Sequence, residues 1–505
     1  MKIFLLPLLL LVSNFITTIC LGNYSNIFVN STSEDAVAIF NTSASGGYLG
    51  FSVNSAGDFN GDGYEDILIS SLGVPGKTGV AYVIYGGKNP LENIDLTSGI
   101  DSSQGFTVTG ASTGDYFGIS ANKAGDVNGD GVDDIVIGAY YVNSRAGAVY
   151  VVYGKKGSHS NIDLSSGMTS SQGFTIAGLS SYAYLGISAT WAGDINGDKL
   201  DDIIIGAFGV NSNTGVVYVI YGSKTRNSNI DLSSGLDSTQ GFTITGASTD
   251  NHFGYSANYV GDVNADGMDD IIMGAYGVNG YTGVVYVVYG KKASQLPNID
   301  LSIGLAETQG FAIIGANPTD YLGVFTAGGE DMNGDGIDDI ILGAYLAKNK
   351  AGVVYVIFGK KGGLSNIALS SGLAPTQGYA IEGSFAFQRL GFSARFAGDI
   401  NRDGVPDLVV GSLPINQTGA AYVIFGNKTV AGNLSLSQGL LATQGYTVYG
   451  TAVNDTFGRF VNGIGDMNHD GIDDIIIGSP NSNSYSGAAY VVYSPCKWLN
   501  GIYVE

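Results

Sequence analysis

Seven short runs of Asp, Asn and Gly recur along the chain, each setting oxygen-bearing groups at alternate positions of one tight turn. The first holds Asp58, Asn60, Asp62, Tyr64 and Asp66, the second Asp126, Asn128, Asp130, Val132 and Asp134, and the third Asp194, Asn196, Asp198, Leu200 and Asp202. The fourth holds Asp262, Asn264, Asp266, Met268 and Asp270, and the fifth Asp331, Asn333, Asp335, Ile337 and Asp339. Asp399, Asn401, Asp403, Val405 and Asp407 form the sixth, and Asp466, Asn468, Asp470, Ile472 and Asp474 the seventh. Carboxylates and amides at positions 1, 3, 5 and 9, with a backbone carbonyl at position 7, suit a hard cation. Calcium takes roughly six to eight such oxygens. The expectation is up to seven bound Ca2+ ions.

Position 6 is Gly63, Gly131, Gly267, Gly336, Gly404 and Gly471, but Lys199 in the third loop. Glycine permits the positive φ that such a turn needs, so the third loop is expected to be the weakest metal site. An EF-hand would need Glu at position 12 and flanking helices; position 12 of the first loop is Ile69, inside an apolar run. A single acidic turn is as well explained by solvation. Seven in register favour a metal.

Successive loops begin 68, 68, 68, 69, 68 and 67 residues apart. A period held this closely means a repeat architecture. Within each unit four short runs rich in Val, Ile, Tyr and Thr are bounded by Gly, Asn and Ser. In the second unit they are Tyr116–Ala121, Asp134–Tyr140, Gly147–Gly154 and Gly173–Gly178. Such runs read as strands. Four strands in each of seven units predict an all-β, seven-bladed β-propeller over residues 36–494. The last unit stops after its third strand, while a spare run, Ala36–Phe40, precedes the first unit. That N-terminal strand is expected to complete the last blade and close the ring, removing exposed sheet edges.

These units resemble FG-GAP repeats, as found in the head of integrin α subunits. The first half of that motif stands at Phe117-Gly118, Phe253-Gly254 and Phe457-Gly458, with Leu-Gly at Leu49, Leu185, Leu322 and Leu390. The second half stands at Gly138-Ala139-Tyr140, Gly206-Ala207-Phe208, Gly274-Ala275-Tyr276, Gly343-Ala344-Tyr345 and Gly478-Ser479-Pro480. The resemblance implies an extracellular, calcium-binding head for a protein or glycan ligand, with a cell-surface partner subunit as a further expectation. No inserted domain interrupts the spacing. The loops fill all seven units, whereas integrin-type heads carry them only in later blades.

Residues 1–22 run from Lys2 through the apolar stretch Ile3–Val12 to small residues, the pattern of a cleaved signal peptide. Residues 23–35 form an N-terminal segment and 495–505 a C-terminal tail. Secretion would make the sequons at Asn23, Asn30, Asn41, Asn416, Asn427, Asn433 and Asn454 glycosylation sites in a eukaryote. The only cysteines are Cys20 and Cys496, so disulfides are not expected to hold the mature fold. A net charge of −22 argues against nucleic acid as a partner, since phosphate binding needs clustered Lys and Arg. Seven calcium ions would leave about −8, easing self-repulsion.

Only His159, His252 and His469 are present, without zinc spacing, and no nucleophile or phosphate-binding motif stands out. No enzyme is expected. A phospholipase specific for glycosylated inositol lipids carries a similar propeller beside a separate catalytic domain, and a glycosidase using channel carboxylates is the other enzymatic alternative. The main non-enzymatic alternative to an adhesion head is a structural matrix protein in which calcium serves rigidity alone. What favours binding is the rim opposite the metal loops, where strand 2 joins strand 3 and strand 4 joins the next blade. There Tyr182, Phe385 and Arg389 are the candidate ligand contacts.

Overall fold

The computed structural model describes residues 27–28, 37–42, 45–73, 78–226, 228–293, 295–414, 417–428 and 432–494. The expected signal peptide, both cysteines, the C-terminal tail, and Asn23, Asn30 and Asn416 lie outside them. Seven sheets form seven blades, so the chain is a β-propeller. In the second blade Phe117–Gly125, Asp134–Ala139, Ala148–Val152 and Gly173–Ala177 follow one another antiparallel, from the innermost strand outward. The two middle strands are buried along their whole length. Blades cover both of their faces, which explains why these strands read as unbroken apolar runs.

The seam is made as expected. Val37–Asn41 pairs antiparallel with Ala488–Val492 and supplies the outer strand of the last blade. Beyond the four expected strands, most sheets gain a fifth of two residues from the following unit's Asn-Ile-Asp-Leu spacer. Ile162–Asp163, for example, runs parallel to Val108–Thr109 of the preceding blade. The spacer's Asn161 accepts a hydrogen bond from Thr107 N, 2.9 Å, and Asn93 does the same for Ile39 of the closing strand, 2.7 Å.

The core lies between blades rather than within them. Each of seven apolar clusters draws on two neighbouring blades, as where Leu68, Val83 and Phe106 meet Phe117, Ile135 and Tyr150. The FG-GAP glycines sit at these interfaces. A Cβ on Gly206 would lie 1.8 Å from the carbonyl oxygen of Gly254 in the next blade, and one on Gly478 would lie 2.1 Å from that of Gly50 across the seam. The motif therefore marks where two blades touch backbone to backbone.

Phe40 of the closing strand is fully buried against Val53, Ile69 and Val491. Phe40→Ala should cost about 3–5 kcal/mol, read as a fall in the urea midpoint. An unchanged midpoint would show that the ring holds without its seam.

Candidate metal loops and the opposite rim

Each acidic turn joins the innermost strand of a blade to the second, so all seven lie at one end of the propeller. In every loop the position-1 carboxylate accepts the amides of positions 5 and 6. Asp58 takes Asp62 N and Gly63 N, both at 2.9 Å, and Asp194 takes Asp198 N at 2.9 Å and Lys199 N at 2.8 Å. This arrangement curls the chain around its own carboxylate. Position 7 buries its side chain at Val132, Val405 and Ile472, leaving its carbonyl as the usable oxygen.

The position-9 residues Asp66, Asp134, Asp202, Asp270, Asp339, Asp407 and Asp474 have no exposed surface. Both oxygens of Asp66 are used: Oδ2 accepts Phe59 N at 3.0 Å, and Oδ1 accepts Gly86 N, beyond the third strand, at 2.8 Å. Position 9 thus anchors the loop to the blade. Burial raises these carboxyls far above their ordinary range, to about 8 at Asp66, Asp339 and Asp474 and about 9 at Asp270, and the position-1 and position-5 carboxylates push the same way. The same cause raises Asp134, Asp202 and Asp407.

Among the described residues no three His, Cys, Asp or Glu side chains converge as a metal site on their own. The donor set that fits a hard cation is the mixed one of Asp, Asn and carbonyl oxygens. Asn196 Oδ1 and Asn264 Oδ1, at position 3 of the third and fourth loops, are buried acceptors without a hydrogen-bond partner. Such orphaned oxygens are rare in folded proteins. A cation held by positions 1, 3, 5 and 7 would satisfy them.

Lys199 has φ +71°, against +79° to +92° for the six position-6 glycines. The turn keeps its left-handed residue instead of relaxing around the lysine. Position 4, which the sequence reading passed over, is also left-handed, with Ala265 at +55°, Arg402 at +59° and His469 at +58°. Four loops put Gly there, and that preference was the available signal.

A second omission is position 8. Asp133 Oδ2 accepts Asp58 N of the preceding blade at 2.9 Å, and Asp201, Asp269, Asp338 and Asp473 repeat the link. The residue before each loop must then be small, because a Cβ on Gly57 would lie 2.2 Å from Asp133 Oδ2. Where the acid is replaced by Pro406, the paired glycine is replaced by Glu330. The position-8 acids also take a donor from their own innermost strand: Ser55 for Glu65, Lys123 for Asp133, Trp191 for Asp201 and Tyr259 for Asp269.

At the other end, the strand 2–3 turns interlock with the strand 4–1 loops. Tyr182 N and Tyr184 N donate to the carbonyls of Ser144 and Arg145, and Phe387 N and Arg389 N to those of Asn349 and Lys350. Tyr182 is 57 % exposed and Phe385 38 %, while Arg389 is half-buried. The structure puts Phe385 and Arg389 in one loop and Tyr182 three blades away, so the three share a face but not a spot. Tyr281, Phe387 and Tyr485 are exposed on the same face and were missed. A run of touching rings crosses it, from Tyr141 through Tyr184, Phe208, His252, Tyr276, Tyr321 and Tyr345 to Phe392.

Lys199→Gly should stabilise the fold by about 1 kcal/mol through relief of left-handed strain. Urea unfolding in calcium checks this, and an unmoved midpoint would mean that the loop bears its lysine without cost.

The FG-GAP repeat profile matches residues 50–84, 117–152, 322–357 and 460–492, in the first, second, fifth and seventh blades. Integrin alpha pat-2 of Caenorhabditis elegans is 32% identical over 271 residues, 51% of this chain and 20% of its own length. Integrin alpha-V of Gallus gallus is 30% identical over 276 residues, 53% of this chain and 24% of its own. The phosphatidylinositol-glycan-specific phospholipase D of Homo sapiens is 27% identical over 414 residues, 77% of this chain and 47% of its own. The chain therefore spans about a fifth to a half of these relatives. No helix among the described residues is long and apolar enough to cross a membrane. The chain carries FG-GAP repeats folded as a seven-bladed β-propeller, and over them it is similar to the head of integrin α subunits.

Proposed function

We propose that the protein is an extracellular adhesion module, which binds a protein or glycan ligand through the strand 2–3 and 4–1 rim and carries Ca2+ in the seven acidic loops at the other end. One observation carries the reading. All five exposed Phe and Tyr side chains among the described residues, Tyr182, Tyr281, Phe385, Phe387 and Tyr485, lie on that rim. Exposed aromatics cluster at recognition surfaces because they offer large contact area for little conformational entropy. A matrix protein needing calcium only for rigidity has no use for them there. The similarity to integrin α subunits supports an extracellular setting and leaves a partner subunit as part of the proposal.

The phospholipase similarity admits a second role, as the non-catalytic part of a larger enzyme. In that role the catalytic chemistry would belong to the other part of the enzyme. Among the described residues the position-9 acids and five of the position-8 acids are engaged by backbone amides, and His159 is buried against Tyr85, Phe59 and Phe106 with its imidazole pushed down to about 4 by burial.

Two experiments test the proposal. Binding to cell-surface or matrix extracts should be lost when Tyr182, Phe385 and Arg389 are replaced together by Ala, with the melting temperature nearly unchanged. Undiminished binding would move the ligand site off this rim. Melting with excess chelator should fall well below melting in millimolar calcium, since each ion at about tenfold its dissociation constant adds roughly 1.4 kcal/mol. Equal midpoints would remove calcium from the fold.

A further inference from the structure

The innermost strands of the seven blades enclose a central cavity of about 170 Å³. It begins at the aromatic rim, where Phe51, Tyr255, Phe392 and Phe460 line it, and continues to a polar layer of Asn54, Asn122, Asn258 and their equivalents. Two residues break this pattern. Arg459 occupies the layer that holds Phe51 in the first blade, and Arg395 the layer that holds Asn54, three residues and on the order of 10 Å further down the strand.

No Asp or Glu lines this cavity, although the chain carries a net charge of −22. Arg395 has only neutral partners. Its guanidinium donates to Thr326 O, Ala394 O and Asn258 Oδ1, each at 3.3 Å, and lies 4.5 Å from the Phe325 ring. Ala327, small where most blades have Asn or Thr, leaves the space it crosses. Arg395 therefore completes the polar girdle, and its charge is left over.

Arg459 is different in kind. Its guanidinium sits 5.0–5.6 Å from the rings of Phe51, Phe392 and Phe460, and its Nε is buried with no hydrogen-bond partner. Arg389, on the rim loop that leads into the sixth blade three residues before Phe392, likewise has a buried Nε without a partner. Phe392, three residues after Arg389, lies 5.0 Å from the Arg459 guanidinium, and the charge of Arg389 acts in the same direction as burial on the Arg459 pKa. Burial lowers the pKa of Arg459 and takes that of Arg395 to about 10. Half-buried guanidinium groups without a counter-charge still carry a desolvation cost. Arg459 and Arg389, each half-buried with a buried Nε that has no partner, describe a place beside the aromatic mouth where an anion is missing.

We propose that the channel mouth is a carboxylate-binding site, in which Arg459 and Arg389 take the carboxylate and the rings of Phe51, Phe392 and Phe460 take a flat or apolar body attached to it. Guanidinium matches carboxylate through paired N–H donors. Arg395 lies below and adds long-range attraction. This deepens the reading of the rim as the binding face by naming the chemistry of its centre, but its test does not need the protein ligand.

The probe is sodium benzoate, with benzamide as its uncharged counterpart, titrated by calorimetry and by saturation-transfer NMR in low-salt buffer with calcium. Benzoate should bind with a dissociation constant on the order of 1 mM, and benzamide much more weakly. Arg459→Gln and Arg389→Gln should each weaken benzoate roughly tenfold, the loss of one charge-assisted contact. Arg145→Gln, on the same face at the second blade, should change nothing. Should Arg459→Gln fail to fold, Arg459→Lys keeps the charge and should still weaken benzoate by removing the paired geometry. No binding, equal binding of benzamide, or indifference to both arginines would overturn the proposal. Displacement of captured protein ligand by benzoate would place the carboxylate on that partner, and binding without displacement would place it on a free small acid; both sustain the site. Benzoate binding by the unaltered protein, together with undiminished partner capture by a Tyr182→Ala/Phe385→Ala double variant that keeps Arg389, would separate this site from the wider adhesion reading.

Discussion

Everything in this molecule depends on one seam. Seven units that each bury their surface against the next have no end until the last meets the first, and here the meeting is made by five residues, Val37–Asn41, hydrogen-bonded to Ala488–Val492. The core lies between blades, so an open ring would expose a whole interface and not merely one edge. Other contacts reinforce the closure. Tyr493 Oη accepts Leu91 N at 2.7 Å, as Tyr221 does for Leu296 and Tyr289 for Leu364 at ordinary interfaces, and Gly478 packs on the Gly50 carbonyl as other blade pairs do. The seam is chemically an ordinary interface whose two sides come from opposite ends of the chain.

A closed ring has two ends, and the sequence spends its charge unequally on them. The loop end holds the acidic turns and, one layer inward, the position-8 carboxylates that tie each loop to the preceding blade. The rim holds aromatic rings and the unpartnered arginines. This separation follows from the blade's up-and-down path: strand 1–2 turns and strand 2–3 turns must lie at opposite ends, so a metal-type loop in one and a recognition loop in the other cannot interfere. Calcium at the first would steady the innermost strands, and those strands carry Arg459 and Arg395.

The fold and the acidic loops were legible in the sequence because both are written in the period. A 68-residue repeat places Asp, Asn and Gly at fixed offsets, and the missing last strand at one end matches the spare strand at the other. Contacts that join units were harder to read. Asp58 N and Asp133 are 75 residues apart, and nothing local to either announces the pair; only the joint replacement by Glu330 and Pro406 betrays it. The left-handed residue at position 4 was obscured for the same reason that Lys199 was noticed, since one exception among glycines stands out and three do not. On the rim, Tyr182, Phe385 and Arg389 were read as exposed loop residues, but the aromatic run linking Tyr184 to Tyr345 alternates the residue before a Leu-Gly or Phe-Gly pair (Tyr184, His252, Tyr321) with the residue after a Gly-Ala pair (Phe208, Tyr276, Tyr345), and becomes continuous only when blades are placed side by side.

Backbone strain is concentrated where that rim is made. In five blades the strand 2–3 turn contains three successive left-handed residues, such as Asn143, Ser144 and Arg145, or Lys348, Asn349 and Lys350. Each non-glycine residue in that conformation costs on the order of 1 to 2 kcal/mol, and left-handed residues ordinarily occur singly. The turn's carbonyls show what is gained: those of Ser144 and Arg145 receive the amides of Tyr182 and Tyr184 from the neighbouring loop, and Asn349 and Lys350 receive Phe387 and Arg389. The strained turn thus acts as a backbone clamp on the loop that presents the exposed ring. A surface meant only to be solvated could relax both segments, whereas one that must hold aromatic side chains and an arginine in fixed positions cannot. Strain of this kind persists only where the surroundings enforce it, and here the enforcement runs from each of those five blades to the next.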